Sequence, residues 1–541
     1  MSQKMQNPIR KFFARNPGLK TRRLFLSFVL IAAALPTGPN ALAIDYVLTI
    51  GGGYEPAGNQ ASLEANVLFF QQLVDQQFPI STRHQVFFAD GLDAKEDLQV
   101  MSPKSGSTTP TIALLESAFA IDRPRLSYRN HQVPNVCGPI SPKSIRVGLD
   151  EIAAQLTDRD RLFIYVTAHG SPAQSKDSMN TSITCWNKQA LSMKTFSQWL
   201  DRLPSRIPVV LVMAQCYCGG FANTMFEGGE IENGLAKGVR VGFFAQRFDL
   251  PAAGCRPDIE NDEEYSSYFW GAFIGRSRTG KLAEGVDCDN NGRVSFDEAH
   301  AYAVRASQTI DIPLKTSDMF LRHYSRIAGY ESTHIKGSPS DISRNEEDEP
   351  KLDHFTGRLQ DVANLGSLAQ RVSIESLALQ LGLPLDCEVT EVFRMNLAQS
   401  EAFQQSRLGA GRRGSGGPNG RRGPRNSGRR DFQKEIVESW PDLTNPADWN
   451  ELPWLNGSEG ESILDQLRQL PSFETYSKNI DARRLVGEKA AAAELKDVQF
   501  KRLVHTMESI VLAQNLSRVA DQAIQSRYRA IIELESSLLQ R

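Results

Sequence analysis

Two periodicities alternate along the first half of the chain. Short apolar runs, typical of buried strands, are separated by stretches whose apolar residues recur at helical spacing. The predicted strands cover residues 46–50, 85–89, 161–168, 207–215 and 238–245. The predicted helices include residues 63–74, 145–156 and 193–203. Because such alternation is typical of a parallel sheet covered by helices, we predict an α/β fold with a doubly wound, mostly parallel sheet.

This alternation defines a first domain of residues 44–330. Residues 95–136 interrupt it and are interpreted as an insertion. Residues 331–355 are polar and charged, so we predict a linker there. Within residues 356–400, apolar side chains at spacings of three and four predict a helical segment.

The last part of the chain is predicted to be mainly helical. Residues 401–431 are rich in Gly and Arg, cannot bury a core, and are predicted to be a disordered linker. Residues 432–541 form the predicted helical C-terminal region. Within it, residues 482–540 carry an interrupted apolar stripe, which indicates a helical hairpin, a partner-binding helix or self-association.

The N-terminal residues 1–43 have the layout of an export signal. Basic residues precede the apolar run 24–35, and Ala41-Leu42-Ala43 follows as a cleavage site of small residues. Residues 21–27, Thr-Arg-Arg-Leu-Phe-Leu-Ser, resemble a twin-arginine signal of bacteria. We expect a periplasmic or extracellular protein, anchored in the membrane only if the signal is not cleaved. No later segment is apolar for long enough to span a bilayer, so we do not expect an integral membrane protein.

Composition narrows the function classes. The formal net charge of the 541 residues is −2, which gives no global attraction to nucleic acid or membrane. The arginines near residues 412–430 lack interleaved aromatic residues, so we interpret them as part of a solvated linker and expect no nucleic-acid partner. Seven cysteines are an odd number, so in an oxidising compartment at least one thiol stays free or pairs with another molecule. A disulfide among Cys137, Cys185 and Cys255 remains open.

Two predicted strands end in residues that can perform nucleophilic chemistry. The strand at residues 207–215 delivers Cys216, and the strand at 161–168 delivers His169 and Gly170. Since open parallel sheets place their chemistry at the carboxyl ends of strands, the thiol and the imidazole are expected to meet as a dyad. The backbone N–H groups of Gly170 and Cys216 are the candidate oxyanion donors.

The segments Tyr165-Val-Thr-Ala-His169-Gly170-Ser171 and Ala214-Gln215-Cys216-Tyr217-Cys218-Gly219 resemble the two catalytic motifs of the caspase and legumain group of cysteine peptidases, legumain more closely. The resemblance implies a caspase-like fold, a protein or peptide substrate, Cys216 as nucleophile and His169 as general acid and base. Cys218, where that family has Ser, is the alternative nucleophile. Hydrolysis and peptide ligation both remain open.

The chain departs from that family at its specificity residues. Ala214 stands where these peptidases usually have a polar or acidic pocket residue. Residues 58–64 stand in place of the motif that supplies the pocket arginine of legumain. Specificity for asparagine or aspartate is therefore not carried over.

Residues 287–298 match the calcium loop of an EF-hand. Gly292 allows the sharp turn, and helical patterns are predicted on both sides. The expected ligands are Asp287, Asp289, Asn291, the carbonyl of Arg293, Ser295 and Glu298. Calcium is thus the expected cofactor, in a structural or a regulatory role.

Two functions follow from these patterns. The first is a calcium-binding, exported cysteine endopeptidase that works through a Cys–His dyad. The alternative is a catalytically inactive, calcium-stabilised exported protein that binds a partner through its C-terminal helices.

Overall fold

The structure is a computed structural model that describes residues 43–101, 109–121, 126–174, 176–254, 264–329, 353–411, 427–456 and 459–539. The predicted export signal, Cys255, and most of the predicted linker at 331–355 lie outside the described residues.

The five predicted strands are all present, and the other six described strands were not predicted. The strands are β1 (Asp45–Gly52), β2 (Arg83–Phe88), β3 (Leu98–Met101), β4 (Leu126–Arg129), β5 (Val136–Gly138), β6 (Arg161–Ser171), β7 (Ser182–Cys185), β8 (Gln189–Ser192), β9 (Val209–Met213), β10 (Arg240–Phe244) and β11 (Leu314–Lys315). The five predicted ones are β1, β2, β6, β9 and β10. The helices of the first half are α1 (Ala61–Gln77), α2 (Pro110–Phe119), α3 (Pro142–Ala153), α4 (Met193–Leu200), α5 (Tyr265–Ile274), α6 (Phe296–Ala306) and α7 (Thr316–Tyr324). Those of the second half are α8 (Leu359–Leu365), α9 (Leu368–Leu381), α10 (Val389–Gly411), α11 (Ser427–Ser439), α12 (Pro453–Asn456), α13 (Glu459–Gln469), α14 (Phe473–Val519) and α15 (Gln522–Glu535).

The central sheet has the strand order β11-β10-β9-β6-β1-β2-β5. Its neighbouring strands are parallel, except that β11 pairs antiparallel with β10. The chain builds outward from β1 to β2 and β5, then returns to β6 and builds outward on the other side. The strand order therefore reverses between β1 and β6, where open α/β sheets bind their ligands. The predicted α/β fold with a mostly parallel sheet is confirmed.

Beyond the edge of the sheet, β6 continues into a smaller antiparallel layer. Its last residues pair with β7, and β7 pairs with β8. The predicted insertion at residues 95–136 contains the antiparallel pair β3–β4 and, between these two strands, helix α2.

One hydrophobic core joins the sheet to the C-terminal helices. We call it the main core: Leu48, Ile164 and Leu211 of the sheet belong to the same buried cluster as Leu503 and Met507 of α14. The last helices of the chain thus complete the core of the sheet domain. Burying these leucines stabilises the fold by roughly 1.5–3 kcal/mol per side chain.

A second hydrophobic core, the satellite cluster, joins α2 to the helices after residue 426. Its buried members include Leu115 of α2, Phe432 of α11, Leu467 of α13 and Tyr476 at the start of α14. The Tyr476 hydroxyl donates a hydrogen bond to Ser117 Oγ at 2.7 Å. The insertion in the sheet domain is therefore packed against the C-terminal region.

One expectation for the second half requires correction. α10 runs to Gly411 and α11 begins at Ser427, so both ends of the predicted disordered linker at 401–431 are helical, and residues 412–426 lie outside the described part. The apolar stripe at 482–540, for which a helical hairpin, a partner-binding helix or self-association is expected, lies in α14, a helix of 47 residues, and in α15. Among the described helices, none has the length and apolar character needed to cross a membrane.

Candidate active site

His169 and Cys216 lie at the carboxyl ends of the neighbouring strands β6 and β9, at one edge of the sheet. Val166 of β6 pairs with Met213 of β9, and the Ala214 N–H donates to the Val166 carbonyl at 2.9 Å. Beyond this pairing, the carbonyl oxygen of Cys216 lies against Gly170, the residue that follows His169. The parallel pairing of two apolar strands thus positions both predicted site residues.

Gly170 allows the two strand ends to approach each other closely. A Cβ atom at this position would lie 1.9 Å from the carbonyl oxygen of Cys216. Only glycine fits such an approach. Directly after the thiol, Tyr217 has a φ of 59°, a left-handed conformation that is uncommon for a residue with a side chain. The turn that carries Cys216 therefore stores local backbone strain.

The loop after β1 determines the tautomer of His169. Its Nε2 lies 2.7 Å from the carbonyl oxygen of Gly58 and 3.0 Å from Oε1 of Gln60. Since a carbonyl oxygen can only accept, Nε2 must carry the hydrogen, and Nδ1 keeps its lone pair. The edge of the Tyr54 ring packs against the imidazole, with the ring centroids 5.0 Å apart. Burial lowers the pKa of His169.

The Cys216 thiol is half-buried beneath Ala252. The Ala252 N–H donates to Sγ at 3.2 Å, and the Ala252 carbonyl oxygen lies 3.8 Å from Sγ. Burial raises the pKa of the Cys216 thiol, and the nearby Asp311 carboxylate adds to this rise, whereas the Ala252 N–H opposes it. Within the described part of the chain, both hydrogen-bond partners of Sγ belong to Ala252, so no hydrogen bond to His169 is formed in this state.

Cys218 lies in the core rather than at the site. It is fully buried, and its Sγ accepts from the Gln246 N–H at 3.3 Å and lies 3.4 Å from the Gln246 carbonyl. Burial raises the pKa of this thiol far above its ordinary value. Of the two candidate thiols, Cys216 is therefore the less buried one.

The two candidate oxyanion donors differ in their surroundings. No backbone carbonyl of the described residues accepts a hydrogen bond from the Cys216 N–H. Gly170 lies opposite Ile183 of β7.

Cys137 and Cys185, considered above for a disulfide, are both free thiols.

A buried polar layer lies beneath the strand ends and was not predicted. Asn66 of α1 donates to Thr167 Oγ1 at 3.0 Å and also hydrogen-bonds to the Glu264 carboxylate. Burial raises the pKa of Glu264 to about 8. Thr167 precedes His169 by two residues, so both side chains face the same side of the sheet. The sequence signal for this layer is the pair of polar residues, Ser62 and Asn66, on the buried face of α1.

The predicted calcium loop has three carboxylates in one place. Oxygen atoms of Asp287, Asp289 and Glu298 all lie within 4.8 Å of one another. Gly292 has a φ of 80°, and its N–H donates to the Asp287 carboxylate at 2.8 Å. The Asn291 N–H donates to the same carboxylate at 3.1 Å. Such a set of oxygen donors fits a hard divalent cation, without identifying calcium.

The helix pattern around this loop differs from the expectation. α6 begins directly after Ser295, which caps it together with Glu298. α5, however, ends at Ile274, well before the loop begins, so the predicted helix on the N-terminal side is not adjacent. The Arg293 N–H donates to the side chain of Asn291, which closes the turn.

A second group of possible metal ligands, Asp90, Asp97 and His131, follows β2 and was not predicted.

Comparisons with known proteins do not assign the chain to a family. No protein-family model and no curated protein matches it. Among solved structures, the crystal structure of protein GSU0716 from Geobacter sulfurreducens is similar at a TM-score of 0.29 and 10% identity, over 50% of this chain and 92% of that one. A likeness at this TM-score carries no argument about fold or function.

Proposed function

We propose that the chain is an exported cysteine endopeptidase of the caspase and legumain kind, with Cys216 as nucleophile and His169 as general acid and base. The observation that carries the proposal is the hydrogen bond from His169 Nε2 to the Gly58 carbonyl. It leaves the lone pair on Nδ1, so that the imidazole can accept the thiol proton of Cys216.

The reaction proceeds through an acyl-enzyme. Nδ1 of His169 accepts the thiol proton as Sγ of Cys216 attacks the substrate carbonyl carbon. The N–H groups of Cys216 and Gly170 stabilise the resulting oxyanion. The imidazolium then returns its proton to the leaving amine, and the carbon–nitrogen bond breaks to give a thioester. Water, activated by His169, hydrolyses the thioester; an amine in its place gives ligation.

The electrostatics support proton transfer during attack rather than a resting ion pair. Burial lowers the pKa of His169 and raises that of Cys216. Both shifts favour the neutral imidazole and the neutral thiol at neutral pH. His169 therefore serves as a general base, as in a serine triad, more than as a permanent cationic partner.

We also propose that residues 287–298 bind calcium in a structural role. The loop leads directly into α6, whose first N–H, from Phe296, donates to the Ser537 carbonyl at 3.1 Å. Asp297 of the same turn forms a buried ion pair with Lys315 of β11. A cation that fixes the loop would thus fix contacts among α6, the sheet edge and the end of the chain.

Active-site labelling tests the peptidase proposal. The mature protein is treated with a panel of acyloxymethyl ketones that differ in the first residue, and the modified residue is located by peptide mass spectrometry. We expect labelling at Cys216 that is lost in His169→Ala, with Cys137→Ala, which removes an exposed thiol, as the matched control. Labelling that persists in His169→Ala would exclude the dyad.

A second candidate is the inactive binding protein. The observation that favours it lies in the middle of α14, where Leu485 and Val486 are 51% and 56% exposed. Exposed apolar pairs on a helix are suited to packing against a partner. Under this alternative no ketone labels Cys216 under any condition, while calcium still stabilises the fold.

A further inference from the structure

A short segment at residues 250–254, which we call the strap, lies against the Cys216 thiol. Its Ala252 N–H reaches Sγ at 3.2 Å, and its Ala252 carbonyl oxygen lies 3.8 Å away. A substrate carbonyl must come within roughly 3–3.5 Å of the attacking atom. The strap therefore already places backbone atoms of the protein against Sγ, in the space that a substrate carbonyl must enter.

The first half of the strap is fixed to the turn that carries the thiol. The Leu250 carbonyl accepts from the Tyr217 N–H at 3.0 Å. The Pro251 carbonyl accepts from Gln246 Nε2 at 3.1 Å. These contacts tie the strap to the residues that follow Cys216 and to the end of β10.

The second half of the strap is fixed to two buried side chains. The Ala253 N–H donates to Asp311 Oδ1 at 2.8 Å, and the Gly254 carbonyl accepts from Ser62 Oγ at 3.0 Å. Pro251 is exposed, and Ala252 to Gly254 are only half-buried. Because the strap carries no large side chain after Leu250, hydrogen bonds rather than apolar burial hold this part, as in segments that open readily.

Arg502 of α14 organises the loop that presents Asp311. Its guanidinium is buried, and its Nε donates to the Asp311 carbonyl at 2.8 Å. The other nitrogens donate to the carbonyls of Val304, Ser307 and Thr309. Thr309 Oγ1 in turn donates to Asp311 Oδ2 at 2.9 Å. A series of hydrogen bonds thus runs from α14 through Asp311 and the strap to Cys216.

We infer that the strap is an autoinhibitory cover over Cys216, and that Arg502, Asp311 and Ser62 are positioning residues that hold it closed. The inference rests on the proposed function only for the meaning of opening, which admits a substrate. Under this inference, α14 affects the Cys216 site without contacting it.

Opening the strap lowers the pKa of the Cys216 thiol and raises its reactivity. Burial is the largest cause of the raised pKa of Cys216, and the Ala252 N–H opposes it with a smaller effect. Opening the strap exposes the thiol to water and removes this N–H; since burial is the larger cause, the net change is a lower thiol pKa. A lower pKa gives more thiolate at neutral pH, and a less covered thiol also reacts faster.

The experiment measures the rate of Cys216 alkylation by iodoacetamide against pH, with peptide mass spectrometry as the readout. The full-length mature protein is compared with Ser62→Ala, Arg502→Met and Arg518→Met. Arg518 is the matched control, because it lies on the same helix but pairs with Asp353 at 2.9 Å. We expect alkylation at neutral pH to be at least about threefold faster in Ser62→Ala and Arg502→Met, with an inflection at lower pH, and unchanged in Arg518→Met.

Unchanged or slower alkylation in Ser62→Ala, or an inflection at higher pH, would overturn the inference. If Arg502→Met fails to fold by circular dichroism, Ser62→Ala decides alone, because it removes a single hydroxyl. Peptide hydrolysis is measured on the same samples. Faster alkylation without any peptide hydrolysis would support the strap as a cover and contradict the peptidase proposal. Hydrolysis with unchanged alkylation would contradict the cover and leave the peptidase proposal intact.

Discussion

Nε2 of His169 and the carbonyl oxygen of Gly58 lie 2.7 Å apart and are joined by a hydrogen bond. A main-chain atom of the loop after β1 thus orients an imidazole at the end of β6. Carboxylates orient the catalytic imidazole in many hydrolases, and a backbone carbonyl performs the same task without adding a negative charge.

Under the proposed function, Gln60→Ala should slow peptide hydrolysis with little effect on folding. Gln60 Oε1 is the second acceptor for Nε2 of His169, at 3.0 Å, and its loss loosens the ring. One such hydrogen bond contributes about 1 kcal/mol, which corresponds to roughly a fivefold lower kcat. Steady-state kinetics and a thermal melt check this. Gln71→Ala is the control, because this half-buried side chain of α1 donates to the Pro134 carbonyl and not to His169; an equal loss in both variants would count against orientation by Gln60.

Gly170→Ala should abolish most activity. The new Cβ would lie 1.9 Å from the Cys216 carbonyl oxygen, so the two strand ends must separate. A displacement of about 1 Å in a catalytic geometry costs on the order of 10²-fold in rate. Gly138→Ala, where a Cβ meets only the Phe87 ring at 3.8 Å, is the control. Full activity in Gly170→Ala would show that the reacting groups do not depend on this approach.

Cys218→Ala should destabilise the protein but leave the chemistry intact. The substitution removes a buried thiol and leaves the Gln246 N–H without its acceptor. Together these effects cost about 1–3 kcal/mol of unfolding free energy. Urea unfolding and peptidase assays measure both properties. An inactive but stable Cys218→Ala, beside an active Cys216→Ala, would transfer the nucleophile to Cys218.

Calcium should stabilise the protein against denaturant. At a concentration one hundred times the dissociation constant, binding adds about 2.7 kcal/mol to the unfolding free energy. Asp289→Ala should lose this gain, because it removes one of the three clustered carboxylates. Glu284→Gln, an exposed acid just before the loop, is the control. A chelator that lowers activity at low temperature, without unfolding, would replace the structural role by a regulatory one.

Activity should persist at mildly acidic pH. The base must be unprotonated, and burial disfavours the imidazolium, which lowers the pKa of His169 below its ordinary value of 6.5. Protonation, and hence loss of kcat/KM, therefore occurs only as the pH falls below 6.5. A profile of kcat/KM from about pH 4 to 9 locates the acid limb. An inflection at or above 6.5 would contradict a buried, neutral His169.

The sheet and its strand ends could be predicted because they depend on local patterns. Apolar runs identify strands, and the residues that follow them mark the edge where His169 and Cys216 lie. Gly58 escaped prediction because every residue has a carbonyl, and only the fold decides which one meets an imidazole.

The role of α14 was also missed, although a signal was present. Arg502, His505 and Ser509 recur at helical spacing on the side of the helix that faces the sheet domain, and all three are buried. From apolar periodicity alone, such a polar stripe is predicted to face solvent. A buried polar stripe is indistinguishable from an exposed one until its partners, such as Asp318 for His505, are known.

The length of α14 has a mechanical consequence. Its 47 residues extend for roughly 70 Å, and its two ends are buried in different cores, the satellite cluster and the main core. The satellite cluster is also joined to the sheet domain by the chain that enters and leaves α2. These two attachments, α14 and the chain around α2, restrict movement of the satellite cluster relative to the main core more than one attachment would. A single cut of the chain in the exposed middle of α14 would leave only one attachment. The satellite cluster could then move relative to the main core, while Arg502 stays in its place.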